Sequence, residues 1–299
     1  MRSRAPFCLI LVCLLTAACG SRSSSGSRVY TMQGQVLAID AARRMATIRH
    51  EEIRGFMPAM TMPYEAREPK LLDGIAPGDL ITAELTVGPS NAYLTAIRKV
   101  GSAPLEAPPA AAAAAPASPP RPELIKAGEA APDGAFVDQN GKPRPFRSFK
   151  GHRVVLTFIY TRCPMPTFCP LMDRHFATIQ ASLRNDPALK DVRLVSVSFD
   201  PATDTPPVLE KHAKEVGADP AVWTFLTGDE PEIDRFAARF GVSVEHDPND
   251  PQQITHNLRT AVIGADGTLL QIYSGNEWTP DQVLGVLRAR REQGAGGRD

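Results

Sequence analysis

The sequence predicts two domains, a small all-β barrel followed by an α/β domain. Three observations carry that expectation. Residues 28–100 alternate apolar and polar side chains with the period of two that a half-buried strand requires, broken by glycine and proline turn signals. Residues 123–293 instead alternate buried-strand runs with helical spacing. Between them, residues 101–122 are rich in alanine and proline and lack aromatic and β-branched side chains, so they cannot bury a core and read as a semi-rigid spacer.

Ahead of the first domain lies a leader. Arg2 and Arg4 give a basic start, residues 7–15 a short apolar run, and Thr16-Ala17-Ala18 a small-residue stretch before Cys19. Those three features describe a secretory signal over residues 1–19. The cysteine after Ala17-Ala18 resembles a bacterial lipobox. The resemblance implies that Cys19 is lipidated, opens the mature chain and anchors it to a membrane; a cleaved signal with a soluble periplasmic product is the alternative. The expected location is the cell envelope, facing the periplasm, with serine-rich residues 20–27 as a flexible tether. Beyond residue 20 no apolar run is long enough to span a bilayer. Lysine plus arginine equals aspartate plus glutamate, 33 of each, so the chain offers no basic footprint for nucleic acid.

In the first domain, residues 29–31, 34–39, 45–50, 80–87 and 92–100 read as strands, with turns around Asp40 and at Gly74, Pro77-Gly78 and Gly88-Pro89. Several short strands in so few residues suggest a small OB-like barrel. In the second domain, residues 154–160 and 192–199 are buried-strand runs. Helical spacing follows at 171–183, 205–216, opened by Pro206-Pro207, and 230–240, ended by Gly241. Residues 260–263 and 269–273 flank a hairpin signal at Ala265-Asp266-Gly267, and residues 279–291 form a last amphipathic helix. That order is the order of a thioredoxin-like fold. Residues 294–299 read as a disordered tail.

Cysteine usage narrows the chemistry. Of five cysteines, Cys8 and Cys13 fall in the leader and Cys19 at its end, which leaves one thiol pair, Cys163 and Cys169. In an oxidising envelope such a pair is a disulfide, a redox couple or a metal site. The segment Cys163-Pro164-Met165-Pro166-Thr167-Phe168-Cys169-Pro170 joins the end of a buried strand to a helix start. There the unpaired backbone N–H groups and the helix dipole stabilise a thiolate, so low thiol pKa values are expected, with Pro170 at the first helical position. A disulfide across so short a gap would stabilise the fold weakly.

Phe158-Ile159-Tyr160-Thr161-Arg162-Cys163-Pro164, then Cys169-Pro170, Ser198-Phe199-Asp200-Pro201, Asp204-Thr205 and Thr255-His256-Asn257 together resemble the Sco/SenC family over nearly all of residues 124–291. The resemblance implies a copper chaperone that binds Cu(I) and Cu(II) through Cys163, Cys169 and His256. It also implies delivery to the dinuclear copper site of cytochrome c oxidase subunit II. Five residues separate the cysteines here, against three in the commoner family form. The donor chemistry agrees: thiolates suit Cu(I) and imidazole suits both valences. Of His152, His175, His212 and His246, which fall in or beside the expected helices and loops with polar neighbours, most read as solvated surface residues. Asp200 and Asp204 read as turn and helix-cap residues, or as groups that steady the ligands. Two other functions stay open: a thiol–disulfide reductase that prepares a client's cysteines, and a copper tolerance or sensing protein.

The first domain carries a second candidate site. After His50 comes Gly55-Phe56-Met57-Pro58-Ala59-Met60-Thr61-Met62-Pro63. Met60 and Met62, two apart on a strand, share a face. Their thioethers either fill a barrel core or bind Cu(I). The segment resembles the CusF-type periplasmic copper-binding domain, which implies His50, Met60 and Met62 as ligands. Met57 stands where that family has a capping tryptophan, with Phe56 beside it, so Met57 is a candidate fourth ligand and Phe56 a candidate cover.

Overall fold

The structure is a computed structural model that describes residues 26–42, 44–105, 123–246 and 254–295. The signal segment with Cys19, the tether to residue 25, the linker from residue 106 and residues 296–299 lie outside the described residues.

The first domain comprises β1 (Arg28–Asp40), β2 (Met45–His50), β3 (Met60–Glu65), β4 (Asp79–Val87) and β5 (Ala92–Ser102). All ladders are antiparallel, in the order β3-β2-β1-β4-β5. The expected closed barrel is not a continuous ladder. The two edge strands meet only at an isolated parallel bridge between Ala66 and Leu94, where the Arg67 N–H donates to the Leu94 carbonyl at 2.9 Å. The methionine segment supplies β3, and β5 runs two residues into the expected linker. The start of that linker is tied down as well: the Gln35 amide donates to the Ala103 carbonyl at 2.9 Å.

Register decides which side chains face inward. His50 pairs with Met60 and Ile48 with Met62 across β2 and β3, so His50, Met60 and Met62 share the buried face with Tyr64. Gly34 on β1 lies opposite His50. A Cβ there would sit 2.6 Å from the Arg49 carbonyl oxygen and 2.8 Å from the His50 Cα, so only glycine lets β1 approach β2 this closely.

The second domain comprises β6 (Phe136–Asp138), β7 (Arg153–Ile159), α1 (Cys169–Asn185), β8 (Val192–Ser198), α2 (Pro206–Glu215), β9 (Trp223–Gly228) and α3 (Glu230–Arg239). These are followed by β10 (Val244–His246), β11 (Ile254–His256), β12 (Arg259–Ile263), β13 (Leu269–Ser274) and α4 (Pro280–Ala295). The main sheet runs β13-β12-β7-β8-β9-β6, with β7, β8 and β9 parallel, a thioredoxin-like arrangement. Every residue of β7 is buried, as a central parallel strand requires. Strand β9 was not anticipated, although Trp223, Phe225 and Leu226 make it a buried aromatic run. Strands β10 and β11 form a separate two-stranded ribbon that presents His256. Helix α4 extends to residue 295, into the segment expected to be disordered. Among the described residues no helix is long and apolar enough to cross a membrane.

Candidate metal centre

The thiol loop leaves β7 after Ile159 and enters α1 at Cys169, with Phe168 at the N-cap, so Pro170 falls at the second helical position rather than the first. Its conformation is fixed from four sides. The Thr161 backbone N–H and hydroxyl donate to Asp204 at 3.0 and 2.5 Å, and the Ser198 hydroxyl donates to the same carboxylate at 2.5 Å. The Arg162 guanidinium donates to Asp200 at 2.6 Å. Arg174 donates to the Pro166 carbonyl at 2.7 Å and the Asn276 amide to the Thr167 carbonyl at 2.8 Å. Asp200 and Asp204 are therefore buried anchors of this loop, while Thr205 occupies the N-cap of α2.

Among the described residues Cys163 and Cys169 are the free cysteines; the first is half-buried and the second buried. Their environments differ in sign. A hydrogen bond from the Cys169 thiol, aided by backbone and Tyr160 donors, holds Cys163 below the usual thiol range despite burial. Burial pushes Cys169 well above that range. The expected low-pKa pair is thus one low-pKa thiol: the helix start does not overcome the desolvation of Cys169.

His256 ends β11. Its ring lies 4.5 Å from Phe199, 5.5 Å from Tyr160 and 6.4 Å from Phe168, centroid to centroid. This aromatic wall desolvates the imidazole and lowers its pKa to about 4. Nδ1 is 3.1 Å from the Asn257 carbonyl, which makes it the donor nitrogen and leaves Nε2 with its lone pair. A neutral, oriented imidazole is the form that binds a metal. Among the described residues no three His, Cys, Asp or Glu side chains are gathered tightly enough to hold a metal ion by themselves. Cys169 lies within hydrogen-bond reach of Cys163, and Cys163 and His256 line one cavity that Cys169 does not reach, so a metal there would need further donors.

Further donors are present. A small cavity of about 30 Å³ is lined by Cys163, Met165 and His256 from the second domain and by Met57, Met60 and Met62 from the first. That volume is on the scale of an ion or a water molecule and excludes an organic ligand. Behind it, His50 is buried, and its Nδ1 lies 2.7 Å from the Glu51 carbonyl. Its Nε2 is buried with no hydrogen-bond partner, an orphan nitrogen of the kind a metal satisfies. Tyr64 packs edge-on to His50 at 5.7 Å and donates its hydroxyl to the Met57 sulfur at 3.7 Å. Phe56 stacks on Tyr30 at 4.5 Å, away from this cavity.

Three features escaped the sequence reading. His212 is not a surface residue: its Nε2 lies 3.0 Å from the Asp173 carboxylate, on a second cavity that also reaches Cys169. Burial depresses its pKa, but the Asp173 hydrogen bond and charge outweigh that and raise it. His175 is likewise packed, at 4.6 Å from Trp278. The aromatic wall of Tyr160, Phe168 and Phe199 was also missed, though each residue lies within one of the motif segments.

Comparison with known proteins places both domains. Residues 126–291 match the SCO1/SenC family model, and residues 29–99 match the model of the copper-binding periplasmic protein CusF. The SCO1 protein homolog of Bacillus subtilis is 35% identical over 156 residues, which cover 52% of this chain and 79% of that protein. Among solved structures, a SCO1/SenC family lipoprotein from Bacillus anthracis is 28% identical, with a TM-score of 0.49, covering 56% of this chain and 98% of the other. Arabidopsis thaliana ScoI with copper bound is 22% identical, with a TM-score of 0.47, covering 55% and 99%.

Proposed function

The chain belongs to the SCO1/SenC family, and from that membership we propose that it is a copper metallochaperone of the bacterial cell envelope with two copper stations. The first domain takes up Cu(I) at His50, Met60 and Met62, with Met57 as a fourth donor. The second holds copper at Cys163, Cys169 and His256 and passes it to a client, cytochrome c oxidase subunit II. Lipidated Cys19 tethers the chain to a membrane, on its periplasmic side.

The observation that carries this reading is the pairing of two soft donor sets across one ion-sized cavity. Thioethers accept Cu(I) and discriminate against harder ions, while thiolates hold it more firmly, which sets the direction of transfer. Neutral His256 supplies the nitrogen that lets the thiol site keep copper through a change of valence.

A second reading is favoured by the unequal thiols. A low-pKa Cys163 beside a buried Cys169 is the arrangement of an attacking and a resolving thiol, so the same pair suits a thiol–disulfide reductase acting on a client's cysteines. His256 discriminates the two. In the chaperone reading, His256→Ala loses tight Cu(II) binding. In the reductase reading, it keeps full dithiol exchange activity. Reduced protein that binds no copper in an anaerobic titration contradicts the chaperone reading.

A further inference from the structure

The thiol loop reaches into the other domain. Strand β11, which carries His256, lies against β3, which carries Met60 and Met62. Met165 belongs to the thiol loop, yet it is buried in the first domain's apolar cluster with Met57 and Met62, and Cys163 and Phe168 pack against that cluster. It sits in the interval that is two residues longer than the commoner family form. The residues that follow it are pinned by Arg174 and Asn276. A methionine that merely filled space would need no soft donors around it; this one shares its cavity with three thioethers, a thiol and an imidazole.

We propose that Met165 is a transfer ligand: its thioether joins Met60 and Met62 to Cys163 across the cavity, and Cu(I) crosses between the domains inside one chain without release to solvent. The proposal rests on the copper reading above and supplies its route. Each step exchanges one donor bond. The bond from copper to Met60 breaks as a bond to Met165 forms, and the Met165 bond breaks as the Cys163 thiolate binds. Copper stays Cu(I), no electron moves, and any proton left on the thiol passes to water. Thioethers suit an intermediate position because they bind Cu(I) without charge and release it to a thiolate.

The test uses the full chain. Cu(I) is loaded anaerobically onto the first domain while Cys163 and Cys169 are held as a disulfide. Excess water-soluble phosphine then opens the disulfide, water giving its oxygen to the phosphine oxide and its protons to the two thiols, and a chain carrying both Cys163→Ser and Cys169→Ser under the same phosphine shows how much Cu(I) the phosphine itself removes. The thiolate-to-Cu(I) ultraviolet band is followed by stopped flow, at phosphine concentrations where the rate no longer depends on phosphine. Met165→Leu is a volume-conserving swap that cores tolerate well, and Met172→Leu, a buried methionine outside the cavity, controls for loss of a thioether elsewhere. The expected result is a wild-type rate independent of protein concentration. Met165→Leu slows it at least tenfold with the same final band, while Met172→Leu behaves as wild type. Met165→Leu as fast as wild type, or a wild-type rate that scales with protein concentration, overturns the route alone. A wild-type chain in which the band never develops overturns the copper reading itself and the route with it.

Discussion

The two candidate stations are built by different means. The methionine site is a product of strand register: His50 faces Met60, and Met62 stands two residues on, so a ladder of backbone hydrogen bonds sets the spacing of its donors. The thiol site is a product of a loop, held by Arg174 from the adjoining helix and by Asp200, Asp204 and Asn276 from distant parts of the chain. Register gives a site whose sulfur donors carry no proton. The loop gives one whose donors titrate and whose spacing can adjust. Rigid, proton-indifferent capture beside an adjustable, proton-coupled holding site is a sensible division of labour for a metal that must move one way.

Cys163→Ser separates the two stations most sharply. Removing that thiolate lowers Cu(I) affinity of the second domain by more than about 100-fold, beyond the loss typical of an outer-shell partner, and leaves the first domain's affinity unchanged. Competition with a chromogenic Cu(I) chelator measures both; an equal loss at both stations would mean that they are one site.

Acid sharpens the contrast next. Each proton that competes for a thiolate weakens copper binding about tenfold per pH unit below the thiol pKa. Thioethers have no such competitor, and burial lowers the pKa of His50, so the first domain holds copper as pH falls while the second loses it. Titrations at about pH 7 and about pH 5 separate the two. His256 adds a stability effect of its own. Its pKa falls from 6.5 unfolded to about 4 folded, so the unfolded chain binds the extra proton between those values. Stability contributed there is complete above 6.5, is lost as pH falls toward 4, and loses that slope in His256→Ala.

Asp204→Ala tests the loop's supports. It strands the Thr161 N–H and the Ser198 hydroxyl in a buried position and costs about 1–3 kcal/mol of second-domain stability. Thermal unfolding should show the loss in that domain alone. Tyr64→Phe, on the other side, removes only the hydroxyl donated to the Met57 sulfur, and costs about 0.5 kcal/mol at most, since a thioether is a weak acceptor.

What the sequence made legible follows the same division. Period-two alternation placed most of the first domain's strands, and with them the common face of Met60 and Met62, because alternation along a strand is a local property. The thiol loop's position between strand and helix was equally plain. The difference between the two thiols was not, because the burial of Cys169 is set by the packing around it. His212 looked solvated because its partner Asp173 lies 39 residues away, on another helix. The barrel's incomplete closure depends on how β3 and β5 approach each other, for which alternation carries no signal. The meeting of Met165 with Met57 and Met62 joins residues more than a hundred apart in sequence, a contact between domains of which a linker read as a semi-rigid spacer gives no sign.

Two distinct copper stations in one chain fix its copper stoichiometry. An anaerobic Cu(I) titration of the reduced wild type, Cys163→Ala and Met60→Ala tests it most directly. Two stations give two copper ions per wild-type chain and one in each variant. One ion per wild-type chain, with Met60→Ala unchanged, would contradict it.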